Sequence, residues 1–268
     1  MSTTAAPDHD TILSLAAAAA RAAAKVLLDY FGNAAVHEKN STQNLVTQAD
    51  LASEKLIATM VQERFPGHVM MQEETEFRGD ILAEHLWVVD PLDATNNYAH
   101  GIPHFCVSIA YACRGEVQVG VVYDPMRDEM FTAVKGRGAW LNGQAIQASQ
   151  PTDLQQCIVA TGFYYERDLT MERTLDSIRE LFRVNIRGLR RMGAAALDLS
   201  WIACGRFQGY FEYKVAPWDY AAGALIVHEA GGVCRERSGA PLQLASGSIV
   251  AASQTVVDEF THIVRWRD

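Results

Sequence analysis

The run that carries most information about this chain is Trp87-Val88-Val89-Asp90-Pro91-Leu92-Asp93-Ala94-Thr95-Asn96. Three apolar residues lead into two carboxylates, Asp90 and Asp93, which are separated by a proline and a leucine. This order predicts the end of a buried strand followed by the start of a helix, whose free N–H groups can face a phosphate. Carboxylates for a hard cation beside amides for an anion are typical of phosphoryl chemistry. A plain turn is the rival interpretation, because Asp-Pro is common in turns and Asp or Thr often caps a helix.

The composition of the whole chain is that of an ordinary globular protein. Its 268 residues are 49% hydrophobic and 21% charged, enough for one large domain or two packed lobes. The net charge of −9, from 32 acidic and 23 basic residues, argues against a general nucleic-acid binder. An acidic enzyme can still hold an anionic substrate if bound metal ions reverse the local field.

Cysteine usage and the first thirty residues favour a cytoplasmic protein. The five cysteines are odd in number and none is spaced C-x-x-C, which predicts free thiols in a reducing compartment. Acidic residues, Asp8 and Asp10, precede the alanine run where a signal peptide would be basic. Arg21, Lys25 and Asp29 then interrupt the apolar character, which argues against a membrane span.

Hydrophobic periodicity predicts a mixed α/β chain. Helices are expected over residues 12–31, 50–65, 169–182, 193–203, 218–230 and 256–264. Strands are expected over residues 86–89, 105–111, 117–123, 131–134, 158–160, 207–213 and 249–251. Residues 37–43 read as a polar loop, and Asn142-Gly143 as a hairpin turn. The succession in the first half indicates an antiparallel or mixed meander, and two lobes would meet near residue 151.

Three further acidic sites change the interpretation of Asp90 and Asp93. Glu73 and its neighbour follow an apolar pair of methionines, Asp50 opens a predicted helix, and Asp219 lies in the first turn of another. Each has an ordinary explanation, as a solvated loop, a helix cap or a dipole partner. Taken together with Asp90 and Asp93, the set is typical of a carboxylate metal site.

These motifs resemble the inositol monophosphatases, within the wider group of lithium-sensitive, magnesium-dependent sugar and nucleotide phosphatases. The most specific matches are Asp90-Pro91-Leu92-Asp93-Ala94-Thr95-Asn96, Trp218-Asp219-Tyr220-Ala221-Ala222-Gly223 and Glu229-Ala230-Gly231-Gly232. The resemblance covers nearly the whole chain. It implies a layered αβαβα sandwich of the inositol monophosphatase and fructose-1,6-bisphosphatase type, forming a single catalytic domain over residues 1–268. Its two packed α/β lobes would span about residues 1–150 and 151–268. Relatives are commonly homodimers.

The resemblance also implies the ligands of two or three Mg²⁺ ions. Glu73, Asp90 and the backbone carbonyl of Leu92 would hold a first ion. Asp90, Asp93 and Asp219 would hold a second, with Asp90 bridging the two. Oxygen-only ligation of this kind suits Mg²⁺, which shares its ligands with water and substrate phosphate.

Catalytic and substrate-binding roles follow from the same resemblance. Thr95, oriented by Asp50, and Glu73 would align and activate the water that attacks phosphorus. The backbone amides of Ala94 and Thr95 would bind the phosphate. Substrate contacts would come from Gly193 and Ala194 through their backbone and from Glu212 to a ring hydroxyl. Lys39 matches a loop lysine of the family.

Four residues depart from the family pattern: Gln72, Ala94, Lys214 and Ala216. Ala94 and Lys214 bear most on the site. Ala94 stands where the family usually has glycine, so phosphate binding is expected to be retained but altered. Lys214 shares a strand face with Glu212 and is expected either to pair with it or to meet a second acidic group of the substrate. The second possibility predicts acceptance of a wider range of anionic sugar phosphates.

The leading functional hypothesis is a Mg²⁺-dependent phosphomonoesterase acting on inositol 1-phosphate or a related polyol or sugar phosphate. Alternatives within the same superfamily are a fructose-1,6-bisphosphatase, a histidinol phosphatase and a 3′-phosphoadenosine phosphatase. A different class of function, a regulatory RNA- or protein-binding scaffold, is raised by a basic cluster formed by Arg183, Arg187, Arg190 and Arg191. The acidic net charge makes nucleic acid the less favoured partner.

Overall fold

The structure is a computed structural model, and it describes residues 8–33, 35–41 and 44–265. The helices are α1 His9–Tyr30, α2 Gln48–Arg64, α3 Thr95–Ala99, α4 Leu169–Arg183, α5 Ala195–Ala203, α6 Pro217–Glu229 and α7 Val257–Val264. The first nine strands are β1 Val36–Ser41, β2 Asn44–Thr47, β3 Val69–Gln72, β4 Leu86–Asp93, β5 Cys106–Cys113, β6 Glu116–Asp124, β7 Glu129–Val134, β8 Gly138–Leu141 and β9 Gln144–Ala145. The remaining strands are β10 Ile158–Thr161, β11 Gly188–Arg190, β12 Gly209–Val215, β13 Gly232–Arg235 and β14 Gly247–Ser253.

Strands β3 to β9 form a seven-stranded sheet in the order β3-β4-β5-β6-β7-β8-β9, and β1 and β2 form a separate two-stranded sheet. Only β3 and β4 are parallel, and each later strand pairs antiparallel with the one before it. The predicted meander is therefore confirmed. Asn142 and Gly143, with φ of 49° and 78°, form the two-residue turn between β8 and β9. Positive φ at both positions is the backbone that an Asn-Gly hairpin turn requires.

A second sheet of five strands has the order β11-β10-β12-β14-β13. Two helices, α5 and α6, lie between the two sheets: α6 contacts strands β4 to β8 on one side and β13 on the other, while α5 contacts β12 and β14 as well as β5 and β6. Helices α1 and α2 cover the far side of the first sheet, and α4 and α7 cover that of the second. The result is the expected αβαβα layering.

Helix α1 is long and apolar enough, by length and composition, to cross a membrane. In the structure its buried residues, among them Ile12, Ala16 and Leu27, pack in one cluster with α2 and the first sheet. Its apolar face is therefore part of the protein core. This packing agrees with the sequence interpretation that the helix is not a membrane span.

The polar segment after α1 differs from expectation. Residues 37–43 were predicted to form a polar loop, but residues 36–41 form β1, which pairs antiparallel with β2. The prediction was wrong because hydrogen bonding to β2, which no apolar alternation signals, organises this hairpin. Lys39 lies on β1, and its side chain is outside the described part of the structure.

Strand β4 continues beyond its apolar residues, Leu86 to Val89, and its last residues include the two aspartates. The pairing of β4 with β5 is regular from Leu86 to Asp90, shifts register, and resumes at Asp93. Pro91 lies inside this irregular step, where the absence of its N–H costs no ladder hydrogen bond. The step gives Asp90 and Asp93 their places at one end of the first sheet.

Candidate active site

A cavity of about 270 Å³ lies where the end of β4, the beginnings of α5 and α6, and strand β12 come together. Ten of the eleven residues predicted for the site line it: Glu73, Asp90, Leu92, Asp93, Ala94, Thr95, Gly193, Ala194, Glu212 and Asp219. The eleventh, Asp50, lies behind the wall and reaches the cavity through Thr95. The structure thus brings the whole predicted set to one place.

Asp90 and Asp93 are held by backbone groups. The Leu92 N–H donates to Asp90 Oδ1 at 3.0 Å, and the Ala196 N–H donates to Asp93 Oδ2 at 2.8 Å. The first bond is local to the irregular step in β4, whereas the second comes from the first turn of α5. Both aspartates are almost fully buried. Their side chains are therefore oriented before any ligand arrives.

Asp50 orients Thr95 from the second layer of the site. Its Oδ2 accepts hydrogen bonds from the N–H and hydroxyl of Thr47, which together cap α2. Its Oδ1 lies 2.9 Å from the hydroxyl of Thr95, which also lies 3.1 Å from the carbonyl oxygen of Leu92. Asp50 is completely buried, and this burial raises the pKa of its carboxyl group. The predicted helix-cap role and the predicted orienting role coexist in one side chain.

Glu73 and Asp219 complete the acidic side of the cavity. Glu73 follows β3, and the backbone N–H of its neighbour Glu74 donates to Glu54 at 2.8 Å, which separates the two adjacent glutamates. Asp219 accepts a hydrogen bond from the Ala216 N–H at 2.7 Å as part of the first turn of α6. The second aspartate motif therefore reaches the site from the opposite half of the chain.

Electrostatic repulsion among these carboxylates is strong. Burial, followed by the charges of Glu73, Asp93 and Asp219, raises the pKa of Asp90 well above its ordinary range. Burial raises the pKa of Asp93 to about 7 and that of Asp219 well above its usual value, with Glu73 adding to both. The carboxyl group of Glu73 also lies close enough to Asp90 to raise the pKa of Asp90 through a side-chain hydrogen bond. Such a site gains stability from any cation that replaces protons.

The donor set fits a hard divalent cation in its chemistry. Four carboxyl groups face one buried cavity, and oxygen donors of this kind are the ligands that Mg²⁺ prefers. Among the described residues, no group of three or more His, Cys, Asp or Glu side chains has the arrangement of a metal site. Holding an ion would therefore require these side chains to adjust around it.

The opposite end of the cavity is organised around Glu212. The hydroxyl of Tyr210 donates to Glu212 Oε2, while burial raises the pKa of Glu212 to about 7. Nearby Arg191 acts against that rise, and it also acts against the larger rise that burial causes in the pKa of Asp198. A carboxyl group that is pinned by one neighbour and left facing a cavity can hydrogen-bond a ligand hydroxyl.

The two departures that bear most on the site, Ala94 and Lys214, have definite positions. Ala94 has φ of 79° and ψ of 47°, the left-handed region, where a glycine would be unstrained. Lys214 pairs with Glu166 rather than Glu212, with Nζ 2.7 Å from Glu166 Oε2. The expectation of a Lys214–Glu212 pair was wrong, because the loop after β10 brings a closer carboxylate to the lysine.

Several residues of the cavity were not singled out from the sequence. They are Asn97, Gly162, Phe163, Tyr164, Tyr165, Asp198, Tyr210 and Trp218. Asp198 had a signal, since it is the only charged residue in the apolar run from Gly193 to Ala203. It is 1% exposed, and its Oδ1 has no hydrogen-bond partner. The aromatic residues after Gly162 had no such signal, because only the fold turns that loop toward the cavity.

The basic cluster of the sequence is divided in the structure. Arg183 pairs with Glu180 on α4, and Arg190 donates to the carbonyl oxygen of Leu189 at 2.9 Å. Arg191 instead lines the cavity. The two adjacent arginines, Arg190 and Arg191, thus lie in different surroundings. This weakens the interpretation of the basic cluster as one binding patch.

Comparison with known proteins agrees with this geometry. The sequence profile of the inositol monophosphatase family matches residues 8–267. The Nus factor SuhB of Pasteurella multocida is 41% identical over 225 residues, which are 84% of each chain. The solved inositol monophosphatase of Anabaena is 38% identical with a TM-score of 0.86, covering 96% of both chains. A structure of inositol monophosphatase II of Staphylococcus aureus with bound 2′-AMP is 26% identical with a TM-score of 0.80, covering 95% of this chain and 93% of that one.

The matched residues include every position of the candidate site, from Asp50 to Asp219. A match of this length together with the shared fold shows descent, not a chance likeness of motifs. The chain belongs to the inositol monophosphatase family.

Proposed function

We propose that this protein is a Mg²⁺-dependent phosphomonoesterase that hydrolyses inositol 1-phosphate or a related polyol or sugar phosphate. The observation that carries the proposal is the convergence of Glu73, Asp90, Asp93 and Asp219 on one cavity in a chain of this family. Repulsion among these buried carboxylates gives the site a strong affinity for positive charge. A phosphomonoester needs that charge in order to bind and react in an acidic protein.

Glu73, Asp90 and the carbonyl of Leu92 would hold one Mg²⁺ ion, and Asp90, Asp93 and Asp219 a second. When bound, these ions supply the positive charge that stabilises the phosphoryl group during the reaction. The carboxylates contribute their fixed positions, since the Leu92 and Ala196 N–H groups already orient Asp90 and Asp93. Such preorganisation avoids rearrangement at the moment of reaction.

The proton-handling residues would be Thr95, Asp50 and Glu73. A hydroxyl that donates to Asp50 has its lone pairs directed away from that bond, where they accept a proton of the attacking water. Glu73 lines the same cavity and would take up that proton. The backbone N–H groups of Ala94 and Thr95 would hold the phosphate as individual donors, since α3 is only five residues long.

The other end of the cavity supports a polyol substrate. Glu212, with the backbone of Gly193 and Ala194, would bind hydroxyl groups of the ring. The fructose-1,6-bisphosphate, histidinol phosphate and 3′-phosphoadenosine phosphate alternatives use the same reaction, so the comparison of substrates decides among them. We propose that the protein acts in the cytoplasm and that it forms a homodimer. Sedimentation of the purified protein tests the homodimer.

Phosphate release from a panel of these substrates with Mg²⁺ tests the proposal. We expect Asp93→Asn to reduce kcat/KM by roughly a hundredfold or more, because a neutral amide replaces a charged ligand. Lithium is expected to inhibit the wild type. Asp176→Asn, an exposed change on α4, is the matched control and should leave activity intact. Wild-type protein that hydrolyses no member of the panel contradicts the proposal.

A second candidate function is a regulatory RNA-binding role. Its support is the 41% identity to a protein named Nus factor SuhB. Binding of structured RNA should then weaken steeply with salt and weaken further in Arg187→Ala with Arg190→Ala, two basic residues outside the cavity lining. No binding at low salt removes this candidate, whatever the phosphatase assay shows.

A further inference from the structure

Residues 162–166, which we call the β10–α4 loop, form one wall of the cavity. Gly162, Phe163, Tyr164 and Tyr165 line it in succession. Burial, followed by the charges of Glu73 and Asp219, raises the pKa of Tyr165, so its ring lies beside the acidic end of the site. The loop therefore extends along the cavity from Glu212 toward the carboxylates.

One end of this loop is fixed by a close approach. A Cβ atom at position 162 would overlap the carboxylate of Glu212, so any residue other than glycine would displace Glu212 from its present position. The preceding residue, Thr161, donates its hydroxyl to the carbonyl oxygen of Phe211 at 2.8 Å. The loop thus leaves β10 in direct contact with β12, at the level of Glu212.

The other end is tied to Lys214. Its Nζ lies 2.7 Å from Glu166 Oε2 and 4.1 Å from the centre of the Tyr164 ring. Among the hydrogen bonds, ion pairs and ring contacts described for residues 163–166, one is local, from the next residue, Arg167, to the carbonyl oxygen of Tyr164. Those that reach another element of the fold go to Lys214. A single lysine therefore carries the polar attachment of this wall to β12.

Lys214 and Glu212 are two positions apart on β12, and both line the cavity, so they lie on the same side of the strand. Glu212 faces the cavity, so Lys214 occupies the next place along the same side, toward the outside. The side chains of Lys214 and Glu166 are 43% and 57% exposed, which places their ion pair at the cavity rim. At about 270 Å³ the cavity is small for an enzyme pocket.

We infer that Lys214 is a specificity-determining residue: by tying the β10–α4 loop to β12, it closes the cavity beyond Glu212. The closed cavity then admits a phosphomonoester with one small polyol ring and excludes one with a second ring system, such as a nucleoside 2′-monophosphate. This inference rests on the proposed phosphatase function. Lys214 acts by holding the wall, since Glu166 already compensates the charge that would attract a second anionic group.

The test compares kcat/KM for inositol 1-phosphate and 2′-AMP in the Mg²⁺-loaded protein. In Lys214→Ala and in Glu166→Ala, we expect the ratio of 2′-AMP to inositol 1-phosphate turnover to rise roughly three- to tenfold. Amide hydrogen exchange over residues 163–168 should become faster in both variants. The double variant Lys214→Glu with Glu166→Lys restores the pair with reversed charges and should restore the ratio to within about twofold.

The matched control is Arg235→Ala, which breaks an ion pair between β13 and α7 with Asp258, outside the cavity. It should leave the ratio and the exchange of residues 163–168 unchanged. A wild-type ratio in an active Lys214→Ala variant overturns the inference. So does selective loss of fructose 1,6-bisphosphate turnover that the reversed pair fails to rescue, because that pattern shows direct contact with an anion. If the wild type hydrolyses no phosphomonoester, the proposed function fails, and unchanged hydrogen exchange in Lys214→Ala then refutes the tie itself.

Discussion

Ala94 places a methyl group on a left-handed backbone in the turn between the aspartate pair and α3. Its φ of 79° costs an L-residue about 1–2 kcal/mol relative to the right-handed region. The residue lines the cavity beside Thr95, where the backbone must turn sharply. Strain at a ligand-facing turn is tolerated because β4 and α3 fix the chain on both sides.

We expect Ala94→Gly to raise the free energy of unfolding by about 0.5 kcal/mol. Relief of the left-handed strain exceeds the added freedom of glycine in the unfolded chain, which is about 0.4–1 kcal/mol. Urea denaturation measures the change. Ala18→Gly, at an exposed position inside α1, is the control and should destabilise by about 1 kcal/mol. A loss of stability in Ala94→Gly as large as in the control contradicts the argument.

The raised pKa values of Asp93 and Glu212 predict an unusual pH dependence of stability. Both pKa values are about 7 in the folded protein, mainly because of burial, so the folded state binds these protons more tightly than the unfolded state. Their contribution to stability is complete below the unfolded pKa of about 4 and is lost as pH rises through 7. In EDTA, the free energy of unfolding should therefore fall between about pH 4 and pH 7, by roughly 1.4 kcal/mol per pH unit for each of the two groups, and level off above that range.

Excess Mg²⁺ should reverse this trend, because the ion binds ionised carboxylates and replaces the protons. Denaturation curves at constant ionic strength, with EDTA or with Mg²⁺, make the comparison. Glu212→Gln removes one of the two titrating groups and should reduce the slope in EDTA. A free energy of unfolding that does not change with pH in EDTA would contradict this prediction.

The orienting role of Asp50 can be separated from its helix-cap role. Asp50→Asn should lower kcat by roughly a hundredfold, because Thr95 loses the charged acceptor that orients its hydroxyl. Loss at the cap should cost about 1 kcal/mol of stability as well. Thr95→Ser keeps the hydroxyl and should retain kcat to within about tenfold. Steady-state kinetics at saturating substrate decide; wild-type kcat in Asp50→Asn would falsify the role.

At the scale of elements, the packing of α6 against β6 positions Asp219. Gly120 on β6 lies directly under α6, where an added Cβ atom would stand 2.8 Å from the carbonyl oxygen of Ala222. The helix can approach the sheet this closely only over glycine. Because Asp219 lies in the first turn of the same helix, this approach sets its distance from Asp90 and Asp93.

Gly120→Ala should destabilise the protein by about 1–3 kcal/mol, because the methyl group meets backbone that cannot rotate away. It should also weaken the response of thermal stability to Mg²⁺, since α6 carries Asp219. Thermal unfolding with and without the ion measures both effects. Gly67→Ala is the control, because its Cβ would meet no atom within 4 Å and its φ is not positive. Equal stability of the two variants contradicts this account.

At the scale of the whole molecule, the two sheets share the layer formed by α5 and α6. The site draws Glu73, Asp90 and Asp93 from the first half of the chain and Glu212 and Asp219 from the second. We therefore propose that the halves, about residues 1–150 and 151–268, act as two lobes with the site between them. Denaturation of the isolated halves tests this division, since neither would retain the complete ligand set.

Local signals in the sequence were sufficient to predict the family, the main helices and strands, and the set of carboxylates that lines the cavity. Apolar runs, helix caps and the Asp-Pro-Leu-Asp motif act over a few residues, so they can be recognised without the fold. Three contacts depend on the tertiary structure: Lys214 with Glu166, Gly162 with Glu212, and Arg191 with the cavity. Each of these contacts joins segments that are distant in the chain. The sequence alone was compatible with several partners of the same chemistry for each residue. Packing of the two sheets selects among them, because it buries both sheets on the shared layer of α5 and α6 and brings the carboxylates to one cavity.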